Sequence, residues 1–271
     1  MQRIHAFEFN ESAWCPKFLR DTVTESLGRG MRWSKQYEPV YSIFFDFCRR
    51  TGCRSMIDLC SGSGAPVAIM VNAMKQHGMT PPEFLITDLF PNLDTMRKSA
   101  ESDPEHIRVA PEPIDAAHIP EKYDHDARTI FGGLHHFNPD VVGRILGDCV
   151  ERQKPLFMLE PFPRRLKPAF RTMLCCLPAF FSNPFLAERD RLLKFITTYI
   201  VPLTSVVGLW DTVVSALRMH SESELMAIAR SLKADYFWDY HTIPASLGRL
   251  SVVFRGIPYA LDRGGKASTK R

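Results

Sequence analysis

The sequence predicts an α/β protein: a doubly wound, mostly parallel sheet of seven strands with an antiparallel last strand and a helical cap. Short apolar segments alternate with helix-length segments over residues 55–160, which is typical of parallel strands buried on both faces. Two more strand-like segments close the chain, and the connection between them is short enough for an antiparallel pair. The seven segments begin at Ser55, Glu83, Ile107, Arg128, Pro155, Tyr236 and Leu250.

Composition is that of a globular protein with a large core. The 271 residues are 45% hydrophobic and 24% charged. Of the formal net charge of +4, the last eleven residues supply +3, so the rest of the chain is close to neutral. It has no long block of Lys and Arg, and we therefore expect no nucleic acid partner. Seven cysteines without a CxxC pair, and no signal peptide, predict a cytoplasmic protein with free thiols.

Five segments of the chain differ in pattern. Aromatic residues crowd the first, strands and helices alternate in the second, and prolines and aromatics interrupt the third. The fourth restores the alternation, and the last is basic and expected to be disordered. In order, they predict an N-terminal helical lid (1–50), the main part of the core (51–162), an inserted helical cap (163–219), the final helix and strand pair of the core (220–260) and a tail (261–271).

The most apolar stretch, 172–210, raises the question of a membrane span. Charged residues at 188–191 split it into halves that each contain proline and are too short to cross a bilayer. We therefore expect no spanning segment. Peripheral membrane contact through an interfacial helix stays open.

A glycine-rich turn follows the first strand, in the sequence Asp58-Leu-Cys-Ser-Gly-Ser-Gly64. Its glycines let the backbone pass close to a ligand. Acids stand at the ends of the next two strands. Asp88, thirty residues after Asp58, can accept both hydroxyls of a ribose, and Asp115 with Ala116 is placed to meet an adenine amine. The carboxyl ends of parallel strands meet at one edge, so we expect these acids to lie together.

This arrangement resembles the class I S-adenosylmethionine-dependent methyltransferases, whose first motif is an acid followed by alternating small residues and glycines. Asp58, Gly62 and Gly64 match that motif, and Cys60 stands where the first glycine is usual. The resemblance implies a Rossmann-like, cofactor-binding core with S-adenosylmethionine as cofactor and S-adenosylhomocysteine as product. It places the methionine end near Asp58, the ribose at Asp88 and the adenine at Asp115. The implied cofactor-binding residues are Asp58, Cys60, Ser61, Gly62, Gly64, Asp88, Leu89, Asp115, Ala116 and Leu134.

Three alternatives for the role of the glycine turn stay open. A nicotinamide dinucleotide fold requires a third glycine, where this sequence has Val67, and no acid just before the loop. A turn needed only for packing is the simplest alternative. A protein that binds the cofactor but catalyses another reaction is also compatible with the fold.

The segment Gly132-Gly-Leu-His-His-Phe137 follows the fourth strand, where base-methylating members of the family often carry Asn/Asp-Pro-Pro-Tyr/Trp. It looks more like the small-molecule methyltransferases. His135 and His136 are the catalytic candidates, because an imidazole can take a proton from a hydroxyl near neutral pH. Neighbouring side chains on a strand point oppositely, so we expect at most one to reach the acceptor. Adjacent histidines seldom chelate one ion, and we expect no metal.

The methyl acceptor is expected to be small, organic and hydrophobic or aromatic, such as an intermediate of specialised metabolism, and methylated at oxygen rather than nitrogen. An apolar lid and cap would exclude water from methyl transfer. They would serve equally as core packing or as a homodimer interface. A membrane-associated enzyme that methylates a lipid or quinone is a further alternative. The candidate acceptor-binding residues are Trp14, Trp33, Tyr37, Glu160, Asp211 and Arg218.

Two of these candidates have a second interpretation. Asp211 and Arg218 interrupt an apolar, helix-like stretch seven residues apart. They can pair with each other as a structural ion pair. Alternatively, they line the acceptor pocket, with Arg218 fixing an anionic group.

Overall fold

The computed structural model describes residues 2–12 and 14–262. Within them, seven strands form one sheet. The strands are β1 (Ser55–Leu59), β2 (Glu83–Ile86), β3 (Ile107–Val109), β4 (Ala127–Phe131), β5 (Leu156–Glu160), β6 (Tyr236–Ala245) and β7 (Arg249–Pro258). Their order is β3-β2-β1-β4-β5-β7-β6. Strands β1 to β5 are parallel, and β7 lies antiparallel between β5 and β6, so the predicted fold class is confirmed.

Helices cover both faces of the sheet. On one face, Phe44 and Phe47 pack their rings against Phe157 of β5, with centroids 5.0 and 5.3 Å apart. On the other face, Ile145 and Leu225 join the core beneath the sheet. The helices are α1 (Lys17–Trp33), α2 (Tyr41–Thr51), α3 (Ala65–Gln76), α4 (Leu93–Glu101), α5 (Pro139–Glu151), α6 (Leu166–Leu186), α7 (Arg191–Phe195), α8 (Leu203–Arg218) and α9 (Glu222–Ser231).

The lid and cap segments pack together at the carboxyl edge of the parallel strands. Helix α1 lies on α6, and Gly30 permits the contact because a Cβ there would stand 2.8 Å from the Cys176 side chain. Helix α8 lies on α6 in the same way, since a Cβ at Gly208 would stand 2.7 Å from the Phe180 ring. The two close approaches give the lid and the cap a shared apolar cluster.

Two elements differ in length from their sequence patterns. Strand β3 ends at Val109, although the apolar pattern continues to Ile114, because Pro111 and Pro113 cannot donate to a strand ladder. Strands β6 and β7 pair over ten residues each, although the sequence pattern predicts strands only over residues 236–243 and 250–254. A short turn with Leu247 and Gly248 at positive φ joins them.

Two expectations concern a membrane span and the C-terminal tail. In the described part of the chain, no helix alone has the length and hydropathy of a membrane span. Two consecutive helical segments, Arg191–Ile200 and Leu203–Arg218, have that length and hydropathy only when they are taken together. The chain bends by 71° between them. The expected tail lies outside the described residues from position 263 onward. Asp262, just before it, is buried and pairs with Arg50 at 2.7 Å.

Candidate functional site

The turn after β1 is built from left-handed backbone. Cys60, Gly62 and Gly64 have φ angles of 58°, 56° and 71°. A non-glycine residue pays about 1–2 kcal/mol for this conformation, so Cys60 is held there by its surroundings. Only glycine fits at position 64, because a Cβ there would lie 2.7 Å from the Ile86 side chain. The result is a tight loop whose backbone faces the carboxyl edge of the sheet.

Asp58 fixes this loop from beneath. One carboxylate oxygen accepts a hydrogen bond from the Ser61 hydroxyl and the other from the Thr129 hydroxyl, both at 2.6 Å. The side chain is fully buried. Burial raises the pKa of Asp58 to about 7, although the two hydroxyls act in the opposite direction. Asp58 therefore braces the loop between β1 and β4.

Asp88 lies directly beside the loop. Its carboxylate accepts from the backbone N–H of Gly62 at 2.9 Å and from that of Phe90 at 2.8 Å. The Ile114 N–H donates to the Asp88 carbonyl at 3.0 Å, which brings Asp115 next to it. A carboxylate offers about four lone-pair sites, so Asp88 keeps acceptor capacity for two ligand hydroxyls.

The surroundings of Cys60 are strongly acidic. Burial raises the pKa of the Cys60 thiol well above its ordinary value, and negative charges on four carboxylates add to the effect. The thiol is therefore neutral, and the loop lies in a field that favours a cationic ligand. The four carboxylates, in order of effect, are Asp88, Asp58, Glu160 and Asp115.

The remaining predicted cofactor residues surround the same edge. Leu89 is exposed beside Asp88, whereas Ala116 and Leu134 are buried. Phe90, also exposed, is not among the residues predicted from the sequence; the Arg20 guanidinium lies 6.0 Å from the centroid of its ring, and an aromatic ring at this edge can stack on a base. An aromatic two residues after an acid that follows a strand is the signal that identifies it. These side chains lie at the edge where the sequence predicts a ribose-bearing cation.

The two histidines lie on a 3-10 turn, Leu134–His136, and not on a strand. Gly132, with φ of 72°, ends β4 at Phe131 and turns the chain. The imidazole rings consequently lie against each other, with centroids 4.1 Å apart. The expectation that neighbouring histidines point to opposite sides is therefore wrong, because it assumes an extended backbone.

Glu160, the last residue of β5, holds His135. Its carboxylate accepts from the His135 backbone N–H at 3.1 Å and from Nδ1 at 2.9 Å. Both side chains are buried. Burial would raise the pKa of Glu160, but the charge and hydrogen bonds of His135 hold it below its ordinary value. In the neutral tautomer that carries its proton on Nδ1, the Nε2 of His135 is an acceptor, 3.9 Å from Glu8 Oε1.

Two acids of the N-terminal segment complete the polar cluster. Glu8 is buried and accepts from the Ser215 hydroxyl at 2.9 Å. Burial raises the pKa of Glu8 to about 7 in spite of nearby positive groups. Glu11 lies 2.5 Å from His136 Nδ1 and 2.6 Å from Arg218 Nη1. Burial would raise its pKa, but hydrogen bonds and charge from those two partners lower it to about 2.

Asp211 and Arg218 do not pair with each other. Asp211 accepts from the backbone N–H groups of Phe9 and Asn10, at 2.8 and 3.2 Å. Arg218 donates to the Ala6 carbonyl at 2.8 Å and to Glu11. Both residues tie the N-terminal segment to α8. Asp211 also lines a pocket at the ends of β4 and β5.

A cavity of about 160 Å³ lies between the ends of β4 and β5 and helices α1, α6 and α8. Its walls are mainly apolar, from Met31, Phe131, Phe162 and Met173, and Tyr37 is buried beside them. One end is polar. That end is formed by Glu8, His135, His136, Asp211 and Ser215.

Two aromatic candidates lie away from this cavity. Trp14 is 66% exposed and packs on Phe7 and Phe9. Trp33 is 52% exposed and lines a separate, charged cleft with Arg29 and other side chains. Neither tryptophan lines the cavity, and their assignment to the acceptor site stays a prediction.

The polar end also has the composition of a cation site. Glu8, His135 and His136 each offer a ligand atom, and these atoms lie within 4.8 Å of one another. Arg218 Nη1 lies 3.6 Å from Glu8 Oε1, so the guanidinium already supplies a positive charge beside one of these ligand atoms. The expectation of no metal stays a prediction.

No protein-family model matches the sequence, and no curated protein matches it. Solved structures match at low identity. A proposed O-methyltransferase from Nostoc punctiforme is 10% identical over 94% of this chain and 64% of its own, with a TM-score of 0.50. The S-adenosylmethionine-dependent methyltransferase SibL is 16% identical over 83% and 56%, with a TM-score of 0.50.

A third match is the magnesium protoporphyrin IX methyltransferase of Synechocystis with bound S-adenosylhomocysteine. It is 11% identical over 84% of this chain and 85% of its own, with a TM-score of 0.48. The chain spans 54–64% of the length of several solved structures that it matches. The comparisons show that this chain has the fold of the S-adenosylmethionine-dependent methyltransferases.

Proposed function

We propose that this protein transfers a methyl group from S-adenosylmethionine to a small, largely apolar organic acceptor, at oxygen in preference to nitrogen. One observation carries the proposal: the left-handed loop at Cys60 lies among four carboxylates, each at or after the end of a different parallel strand. The same edge of the sheet borders a mainly apolar pocket with a histidine at its polar end. A cationic, ribose-bearing cofactor and an apolar acceptor would therefore meet there.

Each part of the cofactor has a partner in this chain. S-Adenosylmethionine supplies an electrophilic methyl group on a positively charged sulfur. Asp88 would accept the ribose hydroxyls, and Asp115 would face the adenine amine. The backbone from Cys60 to Gly62 would lie against the methionine part, in the negative field that favours its cation. Phe90 would stack on the base.

The pocket suits an acceptor group the size of one ring. A cavity of roughly 150 Å³ holds benzene, and this cavity is about 160 Å³. Its walls exclude water, which methyl transfer requires. His135 Nε2 would take the proton of an acceptor hydroxyl, and Glu160 would stabilise the imidazolium that forms. A hydroxyl needs such a base, and this favours oxygen as the methylated atom.

Cofactor binding is the first test. We expect calorimetric titration to show micromolar binding of S-adenosylmethionine and S-adenosylhomocysteine, and no binding of NAD. NAD is the matched control because it also offers a ribose and an adenine. Binding of NAD alone, or of none of the three, would overturn the proposal.

The acceptor is the second test. The protein would be incubated with S-adenosylmethionine labelled in the methyl group and with a panel of phenols, matched anilines and aliphatic alcohols. We expect label to appear in phenols of one-ring size, with formation of S-adenosylhomocysteine. Label confined to the anilines would contradict the preference for oxygen.

A further inference from the structure

The inserted helices expose a large apolar surface. Of 26 large hydrophobic side chains that are exposed in the described residues, 17 lie in segment 163–219. On α6 and α8 they recur every three or four residues, with one gap of seven after Leu174, so each helix presents one exposed stripe. The α6 stripe is Leu166, Phe170, Leu174, Phe181 and Phe185, and the α8 stripe is Leu203, Val206, Trp210 and Val213.

The two stripes form one surface. A groove of about 290 Å³ runs between the helices and is lined by Phe170 of α6 and Val213 of α8, among others. At the far end of α6, Phe185 packs on Phe195 and Tyr199, with ring centroids 6.2 and 6.0 Å apart. We call this surface of α6, α8 and the segment between them (187–202) the apolar face.

Positive charge borders the groove. Lys167 lines it; Arg165 and Arg171 are nearby basic residues in the sequence, and the Arg171 guanidinium donates to the Gly248 carbonyl at 2.9 Å. Among the described residues, none of the three forms an ion pair with an acid. Residues 163–187 contain no Asp or Glu at all. The apolar face therefore combines exposed hydrophobic side chains with unneutralised cations at one end.

We propose that the apolar face docks on a membrane surface that contains anionic lipids. Helices α6 and α8 would lie in the interface plane, with the apolar stripes among the acyl chains and Lys167 and Arg171 at the phosphate level. This is the arrangement of interfacial amphipathic helices. It requires no span across the bilayer.

A second copy of the chain suits this face less well. In a two-fold contact the same patch meets itself, so unneutralised cations need acids on the same patch. The exposed acids of the same segment, Glu188 and Asp190, alternate with Arg189 and Arg191 and bring no net negative charge, and Asp211 of α8 is buried. Anionic lipid headgroups provide the missing complement.

The groove and the acceptor pocket share a wall. Thr212 lines both, and its hydroxyl donates to the Gly208 carbonyl at 2.7 Å. If the proposed function holds, a lipophilic acceptor in the membrane would lie one side chain away from the pocket. Docking itself does not depend on methyl transfer, so the two proposals fail separately.

The test is co-sedimentation of the full chain with sucrose-loaded vesicles of phosphatidylcholine, with or without phosphatidylglycerol. At low salt we expect sedimentation with the mixed vesicles and weaker binding to phosphatidylcholine alone. Lys167→Gln with Arg171→Gln should lower the partition coefficient on mixed vesicles about fivefold for each cation removed. Phe170→Ser with Val213→Ser should lower binding to both kinds of vesicle.

Tyr259→Ser is the matched control, because Tyr259 is 51% exposed and Phe170 is 52% exposed, but Tyr259 lies outside the apolar face. It should bind as the unchanged chain does. Thermal unfolding and calorimetry with S-adenosylmethionine check that each variant is folded. Full recovery of the unchanged chain in the supernatant at low salt would overturn the proposal, as would normal binding by the Phe170–Val213 variant. A dimer that this variant dissociates, without vesicle binding, would assign the face to a second copy instead.

Discussion

Glu160 accepts two hydrogen bonds from His135, one from its backbone N–H at 3.1 Å and one from Nδ1 at 2.9 Å. One buried carboxylate thus fixes both the main chain and the ring orientation of the same residue. The ring nitrogen that remains, Nε2, belongs to a side chain that lines the pocket. This relationship separates His135 from His136, whose Nδ1 pairs with Glu11 instead.

His135 and His136 should therefore differ in their effect on turnover. A general base typically contributes about 10²–10⁴-fold. We expect His135→Ala to lower kcat by about that factor, with unchanged affinity for S-adenosylmethionine, and His136→Ala to lower it less. Steady-state kinetics with a phenol accepted in the transfer assay, beside calorimetry of the cofactor, would measure both. Equal losses of kcat in the two variants would show that His135 is not the specific general base.

Asp88 should govern cofactor affinity. Its carboxylate lies beside the loop with spare acceptor sites, and hydrogen bonds to a charged group contribute about 1.5–3 kcal/mol each. We expect Asp88→Ala to weaken S-adenosylmethionine binding at least tenfold by calorimetry. Asp94→Ala, an exposed acid on α4, is the control and should bind normally. A folded Asp88→Ala protein with unchanged affinity would refute the ribose assignment.

Asp58 should make stability depend on pH. Its pKa is about 7 in the folded protein, mainly through burial, against an ordinary value of 3.8. Between these values the folded protein holds the proton and the unfolded chain does not. This group's contribution to the free energy of unfolding therefore falls as pH rises through that window. Asp58→Asn does not titrate, so its deficit relative to the unchanged protein should shrink between about pH 5 and about pH 8.

Urea denaturation at the two pH values measures the effect of Asp58→Asn. Asp94→Asn, which changes an exposed acid, should show the same difference from the unchanged protein at both. A deficit of Asp58→Asn that is the same at both pH values would mean that Asp58 is already ionised in the folded protein at about pH 5.

Arg218 should be a major determinant of stability. Its guanidinium is buried and forms ion pairs with the carboxylates of Glu11 at 2.6 Å and Glu8 at 3.6 Å. Removing one partner of a buried ion pair costs about 3–5 kcal/mol, because the other charge stays buried. We expect Arg218→Met to lose that much in urea denaturation and Arg218→Lys to lose less. Arg189→Gln, which breaks an exposed pair, should stay within about 1 kcal/mol and serves as the control. A loss below about 1 kcal/mol for Arg218→Met would contradict this role.

The fold could be predicted because its signals are local. Each strand is an apolar run next to a helical pattern, and Cys60, Gly62 and Gly64 lie within five residues of one another. The acids at successive strand ends follow from the same pattern, since parallel strands bring their carboxyl ends to one edge. These parts of the cofactor site needed no knowledge of long-range packing.

The acceptor side could not be predicted in the same way. Glu8 meets Ser215 across 207 residues of sequence, and no periodicity encodes that contact. The expectation for the two histidines assumes an extended backbone, although Gly132 ends the strand before them. Trp14 and Trp33 are aromatics of the lid, and their exposure depends on how α1 packs on α6. Side chains from distant segments define this pocket, so only the tertiary structure identifies them.

The close approach of Gly133 to Cys60 offers a final prediction. A Cβ at position 133 would lie 2.6 Å from the Cys60 Cβ. Overpacking of this kind costs about 1–3 kcal/mol, so Gly133→Ala should lose that much stability. Cys60→Gly should be within about 1 kcal/mol of neutral, because relief of its left-handed backbone offsets the added freedom of the unfolded chain.

Combining the two substitutions should restore most of the loss, because glycine at position 60 removes the clashing atoms. The next neighbour, Ile130 Cγ2, would then stand at 3.4 Å, an ordinary contact. Urea denaturation of both single variants and the double variant gives the coupling energy directly. Gly147→Ala, whose Cβ meets nothing closer than 3.9 Å, should be additive with Cys60→Gly and serves as the control. Additive losses for Gly133→Ala and Cys60→Gly would show that the two residues are not in contact, and the loop would then need another cause for its shape.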